Sequence, residues 1–117
     1  MQLYAGLMQA PQGGVALQAK AMLGYGRLLE KAGHALQPTP DGPNEYAVHY
    51  YLEAHILFGP ATPEQSAEGL FDAGQVYEKA GDKANAKKEY DTLLKIYATT
   101  APDWAAKAQA AEAKLGP

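Results

Sequence analysis

The sequence predicts an all-α fold of short antiparallel helix pairs, about six helices in all. Apolar residues recur at helical spacing over long stretches, interrupted only by short Gly and Pro punctuation. Strand-like runs of Val, Ile and Thr are missing. The chain also matches itself at a fixed step, as stacked helical units do. With 117 residues, 47% hydrophobic and 20% charged, it has the balance of one globular domain rather than of a disordered segment.

The first element expected is a short helix over Leu3–Gln9, within 1–11, closed by Pro11 and Gly13-Gly14. A second runs from about Val15 to Ala32, carrying Met22, Tyr25, Gly26 and Leu29, and Gly33-His34 stops it. The stretch 37–44 holds three prolines, which remove backbone donors and clash with a preceding turn, so it is a non-helical insertion. Asn44 then reads as the N-cap of a helix over Glu45–Phe58, ended by Gly59-Pro60.

Thr62-Pro63-Glu64-Gln65 supplies an N-cap, a first-turn proline and a capping-box partner. The helix it starts, Glu64–Ala80, is stopped by Gly81-Asp82. The next begins near Lys83, turns Ala86, Tyr90, Leu93, Leu94 and Tyr97 inward, and ends near Thr99-Thr100. Pro102 opens the last helix, Asp103–Leu115, whose Ala, Lys and Glu residues have high helix propensity.

The self-match is specific. Leu70 to Trp104 spans 34 residues, and Gly74 reaches Ala108 by the same step. One unit carries Leu70, Ala73, Gly74, Tyr77, Ala86 and Tyr90; an earlier copy carries Met22, Tyr25, Gly26, Leu29, Gly33, Ala47, Tyr51 and Ala54. Gly26 and Gly74 lie 48 residues apart, 14 more than the step. Nine of the extra residues fall between Gly33 and Ala47 and five between Ala54 and Leu70, both expected in loops. The glycines let two helices approach closely, and the large residues fill the space beside them.

These residues and their spacing resemble the tetratricopeptide repeat (TPR) family. The resemblance implies a short solenoid of stacked helix pairs: a loop-interrupted repeat over 14–60, a full repeat over 62–100 and a C-terminal helix over 101–117. The closing Trp104–Pro117 stretch is similar to the ends of envelope-associated bacterial repeat proteins, which implies the periplasm or envelope, with the cytoplasm as the alternative.

Several chemistries find no support. Ten Lys and Arg against thirteen Asp and Glu give a net charge of −3, the wrong sign for a nucleic-acid partner. No apolar run is long enough to insert into a membrane, and Met1 to Gly14 has neither the basic start nor the apolar core of a signal peptide. Cysteine is absent. His49 and Glu53 share a helical face, but His55 points elsewhere and no third ligand follows; His34 sits at a helix end, where the dipole favours it. Gly24-Tyr25-Gly26 lies inside a helix and lacks the third glycine of a dinucleotide turn. Ser66, the only serine, has no base nearby, and Glu89 and Asp91 are two apart and face different ways. No catalytic residue, metal or cofactor is therefore expected.

The expected activity is binding. Among the tyrosines, Tyr25, Tyr51, Tyr77 and Tyr90 belong to the core, whereas Tyr46 and Tyr50 either face a partner or seat the Pro-rich loop. Resemblance to TPR proteins implies a concave groove lined by the first helix of each pair, holding a peptide or helix of another protein. Turning about 100° per residue from the packed face gives its stripe: Leu23, Arg27, Glu30 and Lys31 in one unit, Phe71, Gln75, Glu78 and Lys79 in the other. The Lys/Asn/Arg clamp by which some family members hold a terminal carboxylate is not visible. The alternative is self-assembly: Leu3, Tyr4 and Leu7 at one end and Trp104 and Ala108 at the other would join copies head to tail.

Overall fold

The structure, a computed structural model, describes residues 14–116. Five α-helices follow one another among them: α1 Gly14–Lys31, α2 Ala47–Phe58, α3 Pro63–Lys79, α4 Lys83–Tyr97 and α5 Pro102–Leu115, with a 3₁₀ turn at Gly59–Ala61. No strand occurs among the described residues. The sixth helix expected over Leu3–Gln9, with Leu3, Tyr4 and Leu7, lies outside them.

Each helix packs on its neighbour in sequence, and α1 also touches α3, as α3 touches α5. Odd-numbered helices thus lie side by side, with α2 and α4 packed on their other side. One core gathers Leu23, Leu29, Val48, Tyr51 and Val76 between α1, α2 and α3. The other gathers Leu70, Tyr90, Leu93, Tyr97 and Ala108 between α3, α4 and α5. Tyr51, Tyr90 and Tyr97 are fully buried; each such ring contributes about 1.5–3 kcal/mol through the apolar area it removes from water.

The two helix pairs share one contact. A Cβ at Gly26 would lie 2.7 Å from the Tyr51 ring, and one at Gly74 would overlap the ring of Tyr90. The tyrosine hydroxyls then donate to Glu30 at 2.6 Å and to Glu78 at 2.8 Å, each four residues beyond its glycine. The first helices end alike as well. Amides of Ala32, Gly33 and His34 donate to carbonyls of Leu28, Glu30 and Leu29, and those of Ala80, Gly81 and Asp82 to Val76, Glu78 and Tyr77. Gly33 and Gly81, at φ 91° and 80°, supply the left-handed residue such an ending requires.

Three local expectations are corrected. α2 starts at Ala47 rather than Glu45, and Asn44 does not cap it. Its first amides are satisfied from the preceding strand of chain instead, Ala47 donating to the His34 carbonyl and Val48 to that of Ala35. Thr62 is the N-cap residue of α3, but no capping box forms. The Thr62 hydroxyl is buried against that of Ser66 at 3.0 Å, and Ser66 donates to the Gly59 carbonyl at 2.9 Å. Finally, the five extra residues before Leu70 are not in a loop. Phe58 to Thr62 is as long as Tyr97 to Ala101, and Thr62 (φ −131°, ψ 66°) and Ala101 (φ −136°, ψ 64°) have one conformation. The extra residues lengthen the first turns of α3.

Candidate functional site

The face formed by α1, α3 and α5 carries most of the expected binding stripe, and its side chains are largely engaged with one another. Arg27 is exposed on α1 and bonds across to Glu68 on α3, with Asp72 at 3.4 Å. Glu30 accepts the Tyr51 hydroxyl and faces Lys79 at 3.6 Å. Gln75 donates through Nε2 to the Tyr90 oxygen at 2.7 Å, and Tyr90 passes its own proton toward Glu78. Arg27 with Glu68 and Asp72, and Glu30 with Lys79, join α1 to α3, so this part of the face is a polar seam as well as a surface. Leu23 is no part of it. It is 1% exposed, with its Cδ2 3.1 Å from where a Gly69 Cβ would be: α3 covers the flank of α1 that an isolated pair would leave open.

Burial dominates the electrostatics here. The Asp72 carboxyl is pushed up to about 6, first by burial and then by Glu68 and Glu30, against the pull of Arg27. Burial and the bond to Glu30 push the Tyr51 hydroxyl well above its usual range, and burial with Glu78 does the same to Tyr90. Both remain neutral donors.

Between α3 and α5 the face opens into a cleft of about 300 Å³, lined by Phe71, Gln75, Glu78, Lys107, Ala111 and Lys114. Phe71 is half-buried between the rings of Tyr90 (5.8 Å) and Trp104 (5.7 Å), and the Lys107 ammonium lies 4.3 Å over Trp104. Lys31 lies with Arg27 and Glu30 on a separate shallow hollow of α1. The stripe thus divides: Phe71, Gln75 and Glu78 share the cleft, while Arg27, Glu30 and Lys79 bridge α1 to α3.

Of the residues expected at a joint between copies, two, Trp104 and Ala108, lie among the described residues. Ala108 is fully buried inside the chain and Trp104 is half-buried against Phe71; the outer side of α5 offers Ala, Gln and Lys. Sequence reasoning also missed Gly69, where a Cβ would overlap the Tyr51 carbonyl oxygen and which sets the approach of α2 to α3. It missed Lys107 and Lys114, although their seven-residue spacing places them on one helical face.

Elsewhere, Tyr25 and Tyr50 both donate to Glu45 and meet edge to face at 4.6 Å, so Tyr50 seats the loop. Burial and Glu45 together raise the Tyr25 hydroxyl to about 12. His49 stands 3.8 Å from Glu53, whereas His55 meets the Tyr97 hydroxyl at 2.7 Å. Among the described residues no three His, Asp or Glu side chains gather as a metal site, and no helix is long and apolar enough to cross a membrane. Compared with known proteins, the chain matches no family model, no curated protein and no solved structure.

Proposed function

We propose that this chain is a non-enzymatic protein-interaction module of the TPR kind, which holds a peptide or helix of a partner in the α3–α5 cleft. The observation that carries the reading is the cleft itself. Its floor is an aromatic ring, Phe71, backed by Tyr90 and Trp104, and its α5 wall carries two lysines with no carboxylate within ion-pair distance among the described residues. Glu78 and Gln75 are already committed to Tyr90. The free bonding capacity is therefore cationic beside an apolar platform, which suits an apolar side chain flanked by carboxylates. The repeated Gly–Tyr–Glu contact and the matching helix ends support the TPR reading, since a helical repeat would use like contacts in each of its pairs.

The test is a selection of random displayed peptides on the full chain. Selected peptides are expected to lose at least about tenfold in affinity with Phe71→Ala, and as much with Lys107→Glu combined with Lys114→Glu. Binders indifferent to both variants would place the partner elsewhere.

A further inference from the structure

The outer side of α2 is composed unlike an exposed helix. Ala47–Phe58 contains one formally charged residue, Glu53, and two histidines, His49 and His55; its other residues are aliphatic or aromatic. Its inner face, Ala47, Val48, Tyr51 and Ala54, is buried. Yet Ile56 is 65% exposed and Leu57 56%, the most exposed large apolar side chains among the described residues. Adjacent large apolar side chains this exposed ordinarily mark a surface that a partner covers. In α4, the neighbour on this layer, six of fifteen residues are charged.

Ile56 borders a cleft of about 230 Å³ between α2 and α4, floored by Leu52 and Leu70 with Lys88 and Thr92 on the far wall. Lys88 and Thr92 also line the adjoining hollow of α4, which continues to Lys95. Lys88, Thr92 and Lys95 therefore form one stripe on α4 that starts at the cleft and runs on into the adjoining hollow. Lys87 is engaged with Asp91 at 2.9 Å, but neither Lys88 nor Lys95 has a carboxylate within ion-pair distance among the described residues. Two other groups face the cleft. Glu89 is buried beneath its rim, and His55 is held by Tyr97.

We infer that the α2–α4 face is a second docking surface, and that its occupant is an acidic amphipathic helix of another protein. Apolar residues at helical spacing would cover Ile56 and Leu57 and enter the cleft, while carboxylates on the flank meet Lys88 and Lys95. Charge decides against a second copy of this chain: in a two-fold contact the same cationic stripe would face itself. A concave apolar floor favours inserted side chains over the flat surface of a lipid bilayer. With the α3–α5 cleft on the other side, the module would bridge two partners.

The experiment uses random peptides about four helical turns long, displayed and selected on the full chain. The expected result is a class of acidic peptides with apolar residues at three- and four-residue spacing. Their affinity should fall at least about tenfold with Ile56→Glu and with Lys88→Glu, and stay within twofold with Lys107→Glu/Lys114→Glu. If Ile56→Glu disturbs the fold in a thermal melt, Leu57→Ser replaces it. Failure of every selected peptide to respond to the α2–α4 variants would overturn the inference, even if the α3–α5 cleft binds. Concentration-dependent self-association abolished by Ile56→Glu would overturn it too, as would sedimentation with phosphatidylserine vesicles without any peptide binding.

Discussion

The pairs α1–α2 and α3–α4 are the same object where they touch and different objects where they turn. At the crossing, each sets a glycine against a tyrosine ring whose hydroxyl reaches a glutamate one turn on. Between the helices, one pair uses a tight turn in which Asp82 accepts from the Asn85 amide at 3.1 Å, and the other inserts nine more residues. The insertion is nevertheless closed at its base. Ala47 donates to the His34 carbonyl at 2.8 Å, as Ala86 donates to that of Asp82 at 3.1 Å. Close packing admits no slack, because each missing Cβ has its space taken; a loop with hydrogen-bonded ends can lengthen at small entropic cost.

The largest effect tests where the two pairs meet rather than either pair alone. Gly69→Ala would drive a Cβ into the Tyr51 carbonyl oxygen, and backbone cannot rotate away as a side chain can. A loss of about 3 kcal/mol or more is expected from urea unfolding, exceeding the change at either pair glycine. Gly74→Ala follows and Gly26→Ala comes third, each costing about 1–3 kcal/mol, because the Tyr90 ring lies closer to its glycine than the Tyr51 ring does. Equal midpoints for the last two would break the ranking. A parental midpoint for Gly69→Ala would remove the account of the seam.

Replacing Pro38 to Pro43 by a short Gly-containing turn probes the other half of the comparison. It deletes the local bonds of Gly42 with Thr39 and Glu45, but not the His34–Ala47 closure. Helicity by circular dichroism should be unchanged and the cost about 1 kcal/mol. Collapse of the signal would show that the insertion organises its pair.

Much of this was legible in the residues. Gly26, Gly74, Gly33 and Gly81 mark crossings and helix ends because local sterics leave those positions little choice. Leu23 was misread because a stripe drawn from one pair cannot know that the next pair covers its flank. Gly69 was invisible for a related reason: it touches the backbone of Tyr51, and no side-chain pattern signals that. The start of α2 was missed because its cap comes from backbone carbonyls of His34 and Ala35 rather than from Asn44. What escaped was what depends on contact between units; what was read depends on contact within one.

The smallest effect compares the two seams by their pH response. On the α1–α3 seam, the folded-state Asp72 carboxyl titrates at about 6 against an ordinary 3.8, because burial and neighbouring Glu68 and Glu30 outweigh Arg27. The fold therefore favours the protonated acid. Its contribution is fully present below about pH 4 and is lost as pH rises through 6. On the seam between α2 and α4, where His55 meets the Tyr97 hydroxyl, the histidine behaves oppositely: burial lowers it from 6.5, the fold favours the neutral ring, and stability falls as pH drops below that value. In the parent the two slopes oppose each other below pH 6.5. Asp72→Asn should uncover the histidine, giving a chain more stable than the parent at pH 7, with the gain vanishing toward pH 4. His55→Gln should leave stability that declines as pH rises across the same window. The effects stay modest, since Asp72 keeps 23% of its side-chain surface in water and Arg27 opposes the shift. Urea midpoints at pH 4, 5, 6 and 7 check both signs. If Asp72→Asn were less stable than the parent at pH 7, the Arg27–Asp72 pair would outweigh the burial of its carboxylate, and the seam would be an ion pair first.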